Sequence, residues 1–337
     1  MRVLLDAAGR VHRAIVTDLY VDDRYRGAHG IGRYAGEVLP RLRPSWRALG
    51  LSGHAHTPLD AFRALPGLER RSLIYSPGYG ALVRAPRQVL TVHDLIHLRM
   101  AWPGRAKFAA YYGGPVRRTV RNAGVVMTVS QTSANEIREW VRDDAVQVID
   151  AGNGCSDAFR VDGPADVALD PYLLFVGNLR QHKNLDVVLR ALVLAKDVRL
   201  RAVMPASEIP AASERATALG VYDRVVWLHG IDDERLASLY RGAAATVMPS
   251  TIEGFGLPAL ESVACGVPVI FWRGCEAVAE VVGDRGWALE SWSDAEEWAS
   301  ALTTASSSSR RVSPPAGAHD WDRTAGIISG VLEDALS

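Results

Sequence analysis

The chain has 337 residues, more than one hydrophobic core usually serves, so two domains are expected. Hydrophobic residues make up 48% and charged residues 23%, as in folded globular proteins, and a formal net charge of zero leaves no electrostatic footprint for a nucleic-acid partner. Three cysteines, Cys155, Cys265 and Cys275, are odd in number and fit no metal-ligand spacing, which reads as reduced thiols in a cytoplasmic protein.

The opening MRVLLDAAGRVHR lacks the apolar core of a signal peptide. No apolar run reaches the ~18 residues that cross a bilayer, so the protein is expected to be soluble or to lie at most on a membrane surface. Residues 2–8 and 14–18 both read as short strands, and only one need open the sheet. Gly30, Gly32 and Gly36, in AHGIGRYAG, then start a helix that runs to about Leu42. Their spacing approaches the dinucleotide fingerprint, which also requires an acid about 20 residues on. Residues 38–59 contain no Asp or Glu, which argues against a dehydrogenase.

Residues 46–51 and 72–76 read as strands, with Pro77-Gly78-Tyr79-Gly80 as a turn. The strand 88–92 leads into His93-Asp94, a pair at the carboxyl end of a parallel strand, where α/β sheets place ligand groups. A hydrolytic triad is not supported, because no G-x-S-x-G turn occurs. Asp94 reads as a cap and His97 as structural. Residues 102–122 mix Trp102, Phe108, Tyr111 and Tyr112 with Arg105, Lys107, Arg117, Arg118 and Arg121. Such a stretch is either a core-facing helix with a solvated basic face or a peripheral contact with an anionic membrane. Strands at 125–129 and 146–149 flank a helix over 134–141 that residues 130–133 cap. Residues 1–162 then form one domain, and the polar segment 163–171 a linker.

The second half alternates strands (172–177, 198–204, 225–229, 245–249, 267–272) with helices (185–194, 211–219, 232–242, 257–265, 277–282). That pattern gives a doubly wound parallel sheet over 172–305, followed by a flexible connection and a terminal helix in 306–337. Arg180 and Lys183, three apart after a glycine at a strand end, can grip a diphosphate. The stretch PSTIEGFGLPALESVACGVP sets Glu253 and Glu261 eight residues apart, around Gly254, Phe255, Gly256, Leu257 and Pro258. The glycines let a ligand approach the main chain, Pro258 suits a first helical turn, and Gly266 fits just past the helix end. A helix N-terminus attracts phosphate, and carboxylates accept from sugar hydroxyls. Two acceptors flanking one anion-binding helix end suit a nucleotide sugar. The same residues would also serve as a plain capped helix with a solvated Glu261.

EGFGLPALE followed by ACGVPV resembles the E-x7-E signature of the retaining glycosyltransferases of family 4, the glycosyl transferases group 1. With the flanking motifs the resemblance covers most of the chain. It implies an α/β protein of the GT-B fold, with two Rossmann-like, doubly wound parallel-sheet domains facing a central cleft and a last helix that returns to the first domain. It favours 14–18 as the first strand and leaves 1–13 as an extension. GIGRY resembles the family's first glycine loop, which puts Gly30 and Gly32 near the donor. TVHDLIHL resembles the segment whose histidine, here His93, contacts the donor sugar. Arg180 and Lys183 match the family's basic pair. Glu253 would hold the sugar, Glu261 the ribose, and the backbone of Gly254, Phe255, Gly256 and Leu257 the diphosphate. Residues 222–227 would lie near the nucleobase. NGCSDAF departs from the usual G-V-D-x-x-x-F, with Asn153-Gly154 in place of Gly-Val. Asp320-Trp321-Asp322 matches D-x-D, but its place at a helix start reads as an N-cap, and no metal or other cofactor is expected. The implied reaction is retaining, metal-independent transfer of a hexosyl group, with GDP-mannose as the leading donor, to a hydroxyl of a glycan, a lipid-linked sugar or a small molecule. A sugar phosphorylase, a nucleotide-sugar hydrolase and a catalytically silent sugar-nucleotide-binding subunit are the competing readings.

Overall fold

The computed structural model describes residues 3–5, 11–13, 18–27, 30–55, 58–65 and 67–337. Strands β1 (Val3–Leu5) and β2 (Val11–Arg13) pair antiparallel as a small hairpin apart from the main sheets. Most of the expected strand 14–18 lies outside the described residues, and the first strand of the domain sheet is β3, Leu19–Val21. It pairs in parallel with β4 (Trp46–Ala48) and β5 (Leu73–Ser76), and β5 pairs with β6 (Arg87–Leu90). Strands β7 (Val125–Thr128) and β8 (Gln147–Asp150) extend this wall through a bridge between Thr91 and Met127.

The second domain carries six parallel strands: β9 (Tyr172–Val176), β10 (Arg199–Val203), β11 (Val225–Leu228), β12 (Ala245–Met248), β13 (Val269–Trp272) and β14 (Gly286–Leu289). Their spatial order is β11-β10-β9-β12-β13-β14, that of a dinucleotide-type doubly wound sheet. The near-continuous apolar run of β9 is what a strand covered on both faces requires. Leu173 and Phe175 enter the core beneath the helices Leu185–Leu194 and Ala295–Ser306. Tyr172 and Leu174 enter the opposite core, with the helices Asp233–Gly242 and Leu257–Ala264. Strand order reverses between β9 and β12, and a crevice opens at their carboxyl ends.

Several boundaries differ from expectation for identifiable reasons. The helix that starts at Gly30 stops at Val38, and Pro40 lies in the 3₁₀ turn Leu39–Arg41 that follows, where its missing N–H is tolerated. Strand β13 begins at Val269, because the N–H of Val267 is spent closing the preceding helix on the Ser262 carbonyl. Strand β14 and the helix Ala295–Ser306 had no strong periodic signal. The latter keeps Ser306 helical and starts on the Asp294 side chain, which accepts from the Glu296 and Glu297 N–H groups. The connection that follows is pinned, with the Val312 N–H on the Gly266 carbonyl and Arg311 on the Ala243 carbonyl.

Residues 102–122 form the helix Arg105–Tyr111, a π-helical turn Tyr112–Val116 and the helix Arg117–Ala123. Tyr111 and Tyr112 are buried, whereas Arg105, Lys107, Arg118 and Arg121 are exposed. The two tyrosines therefore face the core, whereas Trp102 is exposed. Among the described residues, no helix is long and apolar enough to cross a membrane.

Among the described residues the domains meet at several places, three of them away from the cleft side chains. The helix Trp321–Leu336 buries Ile328 and Leu332 against Val21 and Tyr34 of the first domain. The Ser130 and Ser133 hydroxyls both donate to the Gly254 carbonyl, at 2.6 and 2.8 Å. Glu280 accepts from the Gln131 and Thr132 N–H groups at the start of the helix Gln131–Val141.

The first glycine loop is sterically closed around Gly32. A Cβ there would stand 2.4 Å from the Gly27 carbonyl oxygen, whereas one on Gly36 would meet nothing within 4 Å. Gly32→Ala is expected to lower the free energy of urea unfolding by about 1–3 kcal/mol through overpacking. Gly36→Ala, on the same helix, is expected to raise it by about 0.5–1 kcal/mol through lower backbone entropy. Equal effects from the two substitutions would contradict the packed loop.

Candidate active site

The crevice between β9 and β12 is built from two stitched loops. The loop after β9 ends in the 3₁₀ turn Gln181–Lys183 and reverses at Asn184, where φ is +50°. The Asn184 amide donates to the Pro249 carbonyl at 3.3 Å and to the Trp292 carbonyl at 2.8 Å, and the Thr251 N–H donates to the His182 carbonyl. This stitching sets Lys183 against Glu253, with Nζ 2.6 Å from Oε1 and the side chains only 16% and 9% exposed. Arg180 sits exposed on the outer lip, close enough for its charge to be felt at Tyr79 and His97 of the first domain. His182, behind the pair, is buried, and desolvation holds its imidazole below the ordinary range.

The loop from Glu253 to Gly256 is pressed against the first domain. A Cβ on Gly254 would lie 2.8 Å from Asp94 Cβ and 3.0 Å from the His93 carbonyl oxygen, so only glycine fits. Gly256 takes φ +95° and feeds the helix Leu257–Ala264, with Pro258 in its first turn, and Gly266 follows at φ +76°. Phe255 packs against the cores of both domains. Gly30 faces the helix start, its notional Cβ 3.7 Å from Leu257. Within that first turn the Ala259 and Leu260 N–H groups bond the Gly256 carbonyl and Pro258 carries none, so the turn itself leaves the Leu257 N–H unpaired at its start.

His93 is brought under this loop, and its Nε2–H donates to the Pro77 carbonyl at 2.9 Å. Its ring meets Tyr34 edge to face at 4.7 Å. Leu95, not Asp94, is the N-cap of the helix Ile96–Arg99; Asp94 orients the loop before it, Oδ1 accepting from the Ile96 N–H at 2.9 Å, and His97 stacks on Phe108.

Glu261 is not a solvated helix residue. Its side chain is 4% exposed, Oε1 accepts from Arg33 at 3.1 Å, and Oε2 accepts from the Tyr240 hydroxyl at 2.9 Å. Burial pushes its carboxyl up to about 7, against the pull of Arg33 and Tyr240 and with the help of Asp233. Arg33 also pairs with Asp233 at 2.6 Å. A cavity of about 270 Å³ beside this cluster is lined by Arg33, Glu37, Asn153, Asp233, Leu257 and Glu261, among others. GIGRY by itself gives Arg33 no role, because its partners 200 and 228 positions away leave no local signal. Tyr240 and Asp233 were likewise invisible as site residues.

Burial raises all three cysteine thiols, those of Cys265 and Cys275 to about 12, so none is poised as a nucleophile. In the Asp320-Trp321-Asp322 segment, Asp320 caps the last helix by accepting from the Arg323 N–H. The site thus combines cations and a helix N-terminus with two carboxylates, at a cleft between domains.

Residues 166–314 match the model of the family described as glycosyl transferases group 1. The O-antigen chain mannosyltransferase B of Escherichia coli is 28% identical over 232 residues, which cover 64% of this chain and 60% of the relative. The D-inositol 3-phosphate glycosyltransferase of Nocardiopsis dassonvillei is 36% identical over 175 residues, 46% of this chain and 41% of the relative. The chain thus spans less than two thirds of the length of these curated relatives. Among solved structures, Anabaena HepE in complex with UDP and glucose superposes with a TM-score of 0.64 at 18% identity, covering 95% of this chain and 94% of that one. WaaG, a glycosyltransferase involved in lipopolysaccharide biosynthesis, gives 0.59 at 14% identity, covering 94% and 98%. Two doubly wound domains, the reversal between β9 and β12 and these superpositions give the chain the GT-B fold, with the glycosyl transferases group 1 match lying on its second domain.

Proposed function

We propose that the chain is a retaining glycosyltransferase that moves a hexosyl group from a nucleotide-diphosphate sugar to an acceptor hydroxyl without a metal ion. The observation that carries this reading is the enclosed Lys183–Glu253 pair at the switch point, beside a helix N-terminus. As the glycosidic bond breaks, negative charge grows on the departing diphosphate. The enclosed Lys183, the N–H groups of residues 254–257 and, from the exposed lip, Arg180 would stabilise it. Glu253, in contact with Lys183, puts a hydroxyl acceptor next to the phosphate clamp, so sugar and diphosphate would be gripped side by side.

Glu261 would take the ribose. A carboxylate offers about four lone-pair sites, and Arg33 and Tyr240 use two of them. His93, beneath the Gly254 loop, would border the sugar. The acceptor hydroxyl would approach from the leaving-group face and pass its proton to a phosphate oxygen, with no dedicated protein base and no covalent nucleophile.

The mannosyl relative supports GDP-mannose as the donor to try first. The acceptor would enter over the first domain. The exposed Arg118 and Arg121 border a separate groove of about 470 Å³ beside the helix Arg117–Ala123. A peripheral contact with an anionic inner-membrane face would use the same exposed arginines rather than the aromatic residues of 102–122. A cytoplasmic location follows from the donor class.

Thermal denaturation against UDP, GDP, TDP and ADP sugars tests the donor, because a ligand of the folded state stabilises it by about 2.7 kcal/mol at a hundredfold excess over Kd. GDP-mannose is expected to give the largest shift, and a flat panel would sink the reading. With donor saturating, Lys183→Ala is expected to lower kcat about 10²–10³-fold, the usual cost of one charge-stabilising donor. Wild-type turnover in that variant would remove the leaving-group clamp. Activity is expected to survive chelation, and a loss restored by Mg²⁺ would overturn metal independence. Product analysis with and without phosphate separates transfer from phosphorolysis and hydrolysis.

A further inference from the structure

Arg33 and Glu261 belong to opposite domains. Arg33 projects from the first turn of the helix Gly30–Val38 and forks between two carboxylates of the second domain. Its Nη1 donates to Glu261 Oε1 at 3.1 Å and its Nη2 to Asp233 Oδ1 at 2.6 Å. The side chains of Arg33 and Asp233 are 34% and 29% exposed, and both border the cleft cavity. The planar guanidinium can span two acids at once, which an ammonium cannot do in the same way.

A carboxylate as enclosed as Glu261 tends to protonate, and a protonated acid is a weaker acceptor for a sugar hydroxyl. The groups that face it are Arg33 from the first domain, Asp233 and Tyr240 from the helix Asp233–Gly242, and the thiols of Cys155 and Cys265. Arg33 supplies the positive charge in that set.

We propose that Arg33 is a positioning residue that keeps Glu261 ionised and aimed into the cleft, and that Asp233 weakens this hold by competing for the same guanidinium. The inference rests on the reading of Glu261 as the ribose acceptor. It makes the ribose corner a composite of both domains.

The sign of the pH effect follows from the neighbours. Burial raises the Glu261 carboxyl to about 7, Arg33 lowers it and Asp233 raises it. Nucleotide affinity that needs the ionised form is retained above this value and lost as pH falls through it. Removing Arg33 should move the loss to higher pH. Neutralising Asp233 should move it to lower pH. A residue that only packs would weaken binding without moving the break.

The test is the Kd of GDP and of UDP for the full chain, measured by isothermal titration calorimetry from about pH 5.5 to about 9, around the Glu261 value. Arg33→Ala is expected to shift the break upward by about one unit or more, and Asp233→Asn to shift it downward. Arg33→Lys is expected to keep the break near the wild-type position while losing affinity. Breaks that coincide in wild type, Arg33→Ala and Asp233→Asn, with nucleotide still bound, would overturn the inference and leave the proposed activity standing. If Arg33→Ala does not fold, Asp233→Asn decides alone: a downward shift supports the inference and an unmoved break refutes it. Glu261→Gln with wild-type Kd at every pH would remove the ribose reading, and this inference with it. Failure of wild type to bind either nucleotide would end the donor assignment itself.

Discussion

Two carboxylates are held almost out of water at the carboxyl edge of the second sheet, and each persists because a cation is fixed against it. Isolated, either charge would be costly to bury, by several kcal/mol even after relaxation. Glu253 is matched by Lys183 from the neighbouring loop. Glu261 is matched by Arg33 from the other domain, with the Tyr240 hydroxyl on its second oxygen. Sheet order, loop stitching and domain contact all serve these two matches.

The first match depends on strand order. Because β9 and β12 are neighbours while their following helices leave on opposite faces, the loops after them diverge and leave a crevice that side chains from both loops enter. Asn184 in a left-handed conformation ends one loop, and Gly256, also left-handed, ends the other. The Asn184 side chain then ties its loop to Pro249 and Trp292, and a Cβ on Gly256 would crowd Val278 and Met248 of the second core. Gly254 adds a steric constraint of a different kind, since its place against His93 and Asp94 leaves no room for a Cβ. Its carbonyl is then taken by two serine hydroxyls of the first domain, so the backbone polar group buried in this contact is satisfied.

The second domain was largely legible in the sequence because its signals are local. Apolar runs of strand length alternate with helical stretches, and Glu253, the glycines, Pro258 and Gly266 lie within one loop and helix. Even there, β14 and the helix before Ser306 were missed, the strand being short and half exposed and the helix lacking a strong apolar stripe. In the site, Lys183 and Glu253 could be named separately, but their contact could not. Glu261 was legible as a position, whereas its burial was not, because burial is imposed by Arg33, Asp233 and Tyr240 from elements with no sequence proximity. The aromatic residues of 102–122 show the same limit: amphipathic composition does not say which face the core takes, and Tyr111 and Tyr112 turn inward.

The two charge pairs differ in one respect that bears on how the site is assembled. Lys183 and Glu253 both lie on loops of the second domain, so their pair needs no residue of the first. Arg33 and Glu261 are linked only while the domains are together. The Lys183–Glu253 corner is therefore built by the second domain alone, and the corner beside Glu261 by both domains. In an open form Glu261 would regain water and lose its cation, and those changes act in opposite directions on its charge. Contact between the domains thus sets a fixed guanidinium against Glu261 in place of solvent.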